Sequence, residues 1–552
     1  MMSKNKVSRR EILKATALGG GSLILAACAP SAVAEATVAP APAPAPTSVP
    51  EPTAIPATEI PEPTAVPSGP RKGGSLVSTA NGDLAFDPYF NIGTNAESYR
   101  FFSSLFDYNG ENPLEPHPQL AESWEESNQM LIIKIKEGVK FHNGREVVAQ
   151  DVVDNVARAK DKSIGHYLFG AFDPSVESAE ALNKYTVKII YKKPYPVKLQ
   201  DLTPLYIIPK EEMANVATTP VGSGPFKFVS YTPGDKLEIL PFSDYWEMGK
   251  PYVDKVTVKI IADPQARLLN LLSGTVDIID RPKLSDVSLL NEGGMVETYT
   301  SPPGGVWYGN VLNCGKKPFS NKQVRQALNY SIDRAKVSKL AYFGLSPVTQ
   351  SRYLPTDFWY HEKASNQYGF DLQRAKELLA EGGYPNGLKT TIAVCEAVLP
   401  GSKAMSEVWA KDLETIGVTL EIVLKEQAPF YDEYFKGDYE IQAYGLGDGL
   451  MDPATTIGAG SPYRLVNNRA NITKQPFFEE YSKLVDQGIS LVDPNQRKPI
   501  YDRLQEIITD EGFVVMTAFW TSYFAVSKRV KGFKVPGDKR PFYSELWIED
   551  PV

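Results

Sequence analysis

The chain has 552 residues, of which 42% are hydrophobic, 22% charged and 11% aromatic, which excludes a fully disordered and a collagen-like chain. At roughly 150 residues per domain the length corresponds to three or four domains, enough to bury large cores. A formal net charge of −8 with both signs interspersed excludes the clustered basic surplus of a nucleic-acid binder.

The charge is offset near the start. Residues 1–28 carry Lys4, Lys6, Arg9, Arg10 and Lys14 against Glu11, while residues 29–70 carry Glu35, Glu51, Glu59 and Glu62, so the −8 belongs to residues 71–552. Ser8-Arg9-Arg10-Glu11-Ile12-Leu13-Lys14, followed by thirteen apolar or small residues from Ala15 to Ala27, reads as an export signal. That stretch is too short for a bilayer core, which needs about 20 residues. The Arg9-Arg10 pair resembles a twin-arginine signal, with Ile12 where an aromatic is often found. Leu25-Ala26-Ala27-Cys28 resembles a bacterial lipobox, in which the cysteine is lipidated and begins the mature protein. Two or three fatty chains would anchor the protein to a membrane without crossing it. Residues 29–70 then hold 12 of the 44 prolines and almost no large apolar residues, so they read as a disordered stalk biased toward polyproline II. At ~3.1 Å per residue such a stalk reaches at most about 100 Å.

From Gly74 onward short strands alternate with amphipathic helices. Gly74–Thr79, Leu131–Lys136 and Thr186–Tyr191 are rich in β-branched residues and of strand length. Asp263-Pro264 supplies a cap and a first-turn proline for a helix with Leu268, Leu269, Leu271 and Leu272 as its apolar face and Gly274 as its stop. Ser320 with Gln323 predicts a capping box before Val324, Ala327 and Leu328. Asp371 predicts the cap of a helix carrying Ala375, Leu378 and Leu379, stopped at Gly382-Gly383. The sum is a mixed α/β protein.

The common reactive arrangements are missing. The sequence has no G-x-S-x-G, G-x-x-x-x-G-K-[ST] or H-E-x-x-H, and its histidines stand apart at 117, 142, 166 and 361. Neither a dedicated metal site nor a cofactor is expected, and among 66 acidic residues no carboxylate pair stands out. Cys314 and Cys395, 81 positions apart, are open to pairing in an oxidising space, with buried free thiols the expectation. Aromatic side chains abound, 7 Trp, 28 Tyr and 24 Phe, and several cluster near turns: Trp307-Tyr308, Phe358-Trp359-Tyr360, and Phe519-Trp520 with Tyr523-Phe524. Small-ligand pockets are lined this way.

Six segments, in order, carry a resemblance: Pro118–Glu125; Gly138–Gly144 with Ala149–Val153; Pro220–Phe226; Leu272–Asp277; Pro318 through Val324–Leu328 to Arg334; and Ala375 to Pro385. With them the chain resembles the extracellular solute-binding proteins of ABC importers, specifically the large group that includes oligopeptide-, dipeptide- and nickel-binding proteins. Most of these residues have scaffold readings: Phe141 a core plug before a turn, Gly222–Pro225 a tight crossing between domains, Arg325 and Asp333 structural contacts.

The resemblance implies an α/β, two-lobe periplasmic-binding-protein clamp of type II, in the large class with an extra domain. On this chain lobe I would comprise 71–112, 219–305 and 516–552, the extra domain 113–218, and lobe II 306–515. Such proteins capture a solute by hinge closure and deliver it to a membrane permease, acting as monomers and without catalysis. Peptide is the leading ligand class implied. An oligosaccharide-binding member is the alternative, and a membrane-anchored hydrolase is the rival from another class. A nickel complex is disfavoured because no histidine follows His361.

For the site, Tyr444–Pro453 resembles the family stretch in which an aspartate ahead of a D-P pair accepts a peptide's ammonium group. That makes Asp448 the candidate, although it lies five rather than four residues ahead of Pro453 and Gly445 stands where Trp is common. Tyr444 accompanies it. Trp307 and Tyr308 are expected to face the cleft where the chain enters lobe II, and Trp520 and Tyr523 where it returns. Arg352 is a candidate partner for a carboxylate.

Overall fold

The computed structural model describes residues 69–89, 98–109, 115–164, 168–292, 294–302, 307–446, 452–454, 470–536 and 540–550. The expected signal, the lipobox Cys28 and the stalk up to residue 68 lie outside them. Residues 68–552 form one compact unit.

Three larger sheets organise it. The first has seven strands in the order Val296–Thr300, Tyr523–Ser527, Ile278–Asp280, Ser75–Ala80, Lys255–Ile260, Lys236–Pro241 and Phe226–Thr232. Ser75–Ala80 runs parallel to both of its neighbours, and Tyr523–Ser527 fits antiparallel between Ile278–Asp280 and Val296–Thr300. The second sheet has five strands in the order Val418–Leu424, Leu388–Val394, Ile441–Leu446, Trp307–Leu312 and Val514–Phe519. Its first three are parallel and its last two antiparallel to their neighbours. The third, four-stranded and antiparallel, joins Ala121–Glu126, Met130–Ile135, Thr186–Tyr191 and Val176–Asn183.

Period-two patterning explains why these segments are strands. Met130–Ile135 and Thr186–Tyr191 alternate strictly, with Leu131, Ile133, Val187 and Ile189 buried on one face. That face joins one continuous core with Leu76, Ile239, Val256 and Val258 of the seven-stranded sheet, so the four-stranded domain is built onto the first lobe. The five-stranded sheet buries its two faces in separate clusters, one around Tyr308, Trp409 and Leu413, the other around Trp307, Tyr501 and Phe513.

Helix punctuation follows the sequence with two differences. Asp263 caps Pro264–Leu272 by accepting from the Ala266 N–H at 2.7 Å, and Asp371 caps Leu372–Glu381 through the Arg374 N–H at 2.9 Å. Of the four leucines expected to face the core from the first of these helices, however, only Leu271 is buried; Leu269 is 65% exposed, because the helix rests on a narrow strip of the sheet. The cap of Lys322–Tyr330 is Asn321 rather than Ser320: the Asn321 side chain accepts from the Gln323 N–H at 2.8 Å. Asx side chains cap a helix as well as serine does, and here the backbone enters one residue later.

The matched motifs are scaffold where they were read as scaffold. Phe141 is fully buried, Arg325 pairs with Glu511 at 2.8 Å, and Asp333 caps Arg334–Ala341. A Cβ on Gly222 or Gly224 would meet the Phe101 backbone at 2.2 and 2.5 Å, so only glycine permits this crossing. Both cysteines are buried and free, Cys314 in the cluster around Trp307 and Cys395 in a small cluster with Phe430.

Candidate functional site

The two lobes are joined where the chain runs from Thr300 toward Trp307 and from Phe519 to Tyr523. At the crossing Ser301 and Ser522 lie side by side: the Ser301 N–H donates to the Ser522 carbonyl at 3.0 Å, and the Ser522 N–H donates to the Ser301 hydroxyl at 3.1 Å. The strand Val514–Phe519 completes the five-stranded sheet, so the chain leaves lobe II after Phe519, not at 515/516 as expected; the antiparallel ladder with Trp307–Leu312 requires it.

These crossings fix which edges face each other. In the second sheet Trp307 pairs with Leu446 on one side and Phe519 on the other, so the carboxyl ends of Ile441–Leu446 and the parallel Leu388–Val394 lie on the edge toward the hinge. In the first sheet Asp280 pairs with Phe524 and Thr300 with Tyr523, so the carboxyl end of Ile278–Asp280 lies on the edge toward lobe II. Two sheets thus present carboxyl ends across one crevice, where open α/β sheets hold their ligands.

Strand alternation then sorts the expected contacts. Trp307 and Tyr308 are adjacent on a strand and therefore point to opposite faces of the sheet. Each is 1% exposed, Trp307 in one cluster and Tyr308 in the other. Tyr308 stacks on Tyr342 at 4.4 Å and lies 6.4 Å from the half-buried Trp520. Tyr444 stacks on Tyr434 at 4.3 Å. Tyr523 bridges the lobes, its hydroxyl donating to the Leu345 carbonyl at 2.9 Å. The Arg352 guanidinium lies 5.8 Å over the Trp307 ring. Asp448 lies outside the described residues; four positions on, Asp452 is held by Arg497 in a bidentate pair at 2.8 and 2.5 Å, with Arg497 1% exposed.

Residues 115–461, more than half of the chain, match the bacterial extracellular solute-binding proteins, family 5 Middle. The chain belongs to this family. Heme-binding protein A of Haemophilus influenzae is 30% identical over 495 residues, covering 83% of this chain and 89% of that protein. A dipeptide-binding protein of Pseudomonas aeruginosa is 26% identical over 512 residues, covering 85% and 94%. The structure of the ABC transporter-associated periplasmic binding protein DppA from Helicobacter pylori, in complex with the peptide STSA, superposes with a TM-score of 0.77 at 26% identity, covering 87% and 99%. The two-lobe periplasmic-binding-protein clamp and a binding rather than enzymatic role follow for this chain, which sets the anchored hydrolase aside.

Within this family 5 solute-binding protein the groups beside the crossings include aromatic faces, neutral phenols and the partly exposed Arg281 guanidinium. Burial pushes the Tyr308, Tyr431 and Tyr523 phenols above their ordinary range, so they are neutral hydrogen-bonding groups at neutral pH. Arg281 follows Asp280 at the carboxyl end of its strand, and its Nε donates to Asp280 Oδ2 at 3.0 Å. The Asp280 carboxylate, opposed by burial, holds Arg281 firmly charged. Glu396, at the facing edge, is occupied as a loop cap, accepting from the Gly401 and Lys403 N–H groups at 3.0 and 2.6 Å. The Asp280-Arg281 pair and Tyr431 were missed in the sequence; the signal available was a charged dipeptide two residues beyond the matched Leu272–Asp277 segment. Among the described residues no group of three or more His, Cys, Asp or Glu could hold a metal ion, and no helix is long and apolar enough to cross a membrane.

Proposed function

We propose that this protein captures peptides outside the cytoplasm by closing its two lobes and hands them to an ABC permease. The observation that carries this reading is the crevice between two facing sheet edges joined by a double crossing, lined by aromatic and hydrogen-bonding groups from both lobes. Peptide relatives support the ligand class: the dipeptide-binding protein and the peptide-bound structure each align over more than four-fifths of the chain. Peptides fit such a crevice because main-chain groups find neutral donors and acceptors while side chains occupy apolar or water-filled space. Trp520, Tyr523, Tyr444 and Arg352 are the proposed contacts beside Asp448, with Trp307 and Tyr308 supporting them from behind.

Cys28 is the proposed lipid anchor and residues 29–70 the tether, so the clamp works as a membrane-attached monomer. Native mass spectrometry of the purified protein, followed by a thermal-shift panel of peptides and oligosaccharides, tests the ligand class. Stabilisation by peptides without product formation supports it; stabilisation by oligosaccharides alone refutes it.

A further inference from the structure

Arg281 stands in the left-handed region, φ 50°, one of three non-glycine residues to do so among the described residues. A long side chain is strained there, and such strain collects at ligand clamps. Two contacts hold it: its N–H donates to the Tyr523 carbonyl at 3.0 Å, beside the crossing, and its Nε donates to Asp280. The fork is only partly used. Nη1 and Nη2 have no hydrogen-bond partner among the described residues, although the side chain is 29% exposed. The guanidinium is close enough to Tyr308 and Tyr431 of lobe II for its charge to act on both phenols, and Leu284, three residues on, packs against the lobe II core. Glu396, at the carboxyl edge of the facing sheet, is already satisfied by its own loop.

We propose that Arg281 is the lobe I anchor for a carboxylate of the ligand, taken by the free Nη edge, and that closure depends on that carboxylate. This rests on the binding reading above but not on peptide as the ligand class. An arginine edge matches a carboxylate with two parallel hydrogen bonds. Because the residue belongs to lobe I and faces lobe II, a ligand held by this bond is presented to the groups of lobe II, which close on it.

The test compares acids with their neutral counterparts on the full-length protein: Ala-Ala-Ala against its C-terminal amide, Ala-Glu-Ala amide against Ala-Gln-Ala amide, and digalacturonate against the neutral disaccharide. Affinity is read by calorimetry and closure by small-angle scattering. The wild type is expected to prefer one of the acids by about 10- to 100-fold, the loss when a charge-assisted bond is removed. The two peptide pairs tell a terminal from a side-chain carboxylate. In Arg281→Gln that preference disappears and closure is lost, and Arg281→Lys keeps part of it. A wild type that prefers none of the acids to its neutral counterpart, or a preference that survives in Arg281→Gln, overturns the proposal without needing any other variant. Acid-dependent binding of digalacturonate alone, lost in Arg281→Gln, upholds the anchor while refuting peptide as the ligand. Binding of no probe at all overturns both.

Discussion

His142 should make the protein lose stability in acid, and its geometry says why. The ring is 7% exposed and wedged against Phe242 at 5.0 Å. Its Nε2 lies 2.9 Å from the Gly224 carbonyl, which can only accept, while the Gly222 N–H donates to Nδ1 at 3.3 Å. The neutral Nε2–H tautomer satisfies both; protonation of Nδ1 sets two donors against each other. Burial, with Lys227 adding to it, moves the pKa down to about 4 despite the Gly224 carbonyl. The unfolded chain takes up this proton near pH 6.5, so stability is full above about 6.5 and falls as pH drops toward 4. At 1.36 kcal/mol per pH unit the loss is about 3 kcal/mol. Asp107 opposes it: burial raises its carboxyl to about 6, so the folded state keeps a proton that the unfolded chain releases near pH 4, and stability falls as pH rises from about 4 to 6. The wild-type curve is therefore flattened. In the difference between wild type and His142→Gln every other group cancels. Urea unfolding followed by tryptophan fluorescence should show that difference shrinking by about 3 kcal/mol between pH 7 and pH 4, and Asp107→Asn should expose the full acid slope. With four histidines in the chain, the His142 ring resonance is assignable by NMR. A titration midpoint near 6.5 in the folded protein, or a difference that does not change with pH, would refute the reasoning.

Gly224→Ala should cost ~3 kcal/mol or more, because the new Cβ meets backbone atoms of Phe101 and Phe102 at 2.5 and 2.6 Å; an unchanged melting temperature counts against this packing. Asp452→Ala leaves the buried Arg497 without its counter-charge and should cost about 3 to 5 kcal/mol, while Asp452→Ala with Arg497→Met should recover much of it. A double variant less stable than the single in denaturant unfolding sinks that account. Tyr523→Phe removes the lobe-to-lobe bond to Leu345 beside the crossing, so denaturant unfolding should show a loss of about 1 kcal/mol while scattering of the unliganded protein stays unchanged; a more open unliganded protein would contradict a bond that holds the lobes together without choosing between open and closed.

The fold was legible because its strands and helices carry strong local signals. Thr186–Tyr191 has the bounds its β-branched alternation predicts, and Asp371 caps the helix it was expected to cap. The lobe II boundary slipped because nothing local distinguishes Val514–Phe519 from the strand that follows the crossing: both are apolar, Val-Val-Met-Thr-Ala-Phe and Tyr-Phe-Ala-Val-Ser, and only pairing assigns them to different sheets. The crevice was less legible for a related reason. Aromatic clusters in sequence do not say which face a side chain takes, so Trp307 and Tyr308 were read together although alternation must separate them. Arg281 was invisible because its importance lies in a backbone angle and in proximity to the other lobe.

Those contacts bear on what a ligand must supply. Among the described residues the hydrogen bonds named between the lobes, Ser301 with Ser522 and Tyr523 with Leu345, sit within a few residues of the crossings. Bonds beside a hinge change little as it swings, so they hold the lobes together without deciding between open and closed. Moving a clamp from mostly open to mostly closed takes about 5.5 kcal/mol of differential affinity. A charge-assisted bond of about 1.5 to 3 kcal/mol at Arg281 supplies part of that, and the remainder must come from groups at the opposite edge, around Trp520 and Tyr444. A ligand touching one edge alone binds without closing the clamp, and a transporter that recognises the closed form would pass it over.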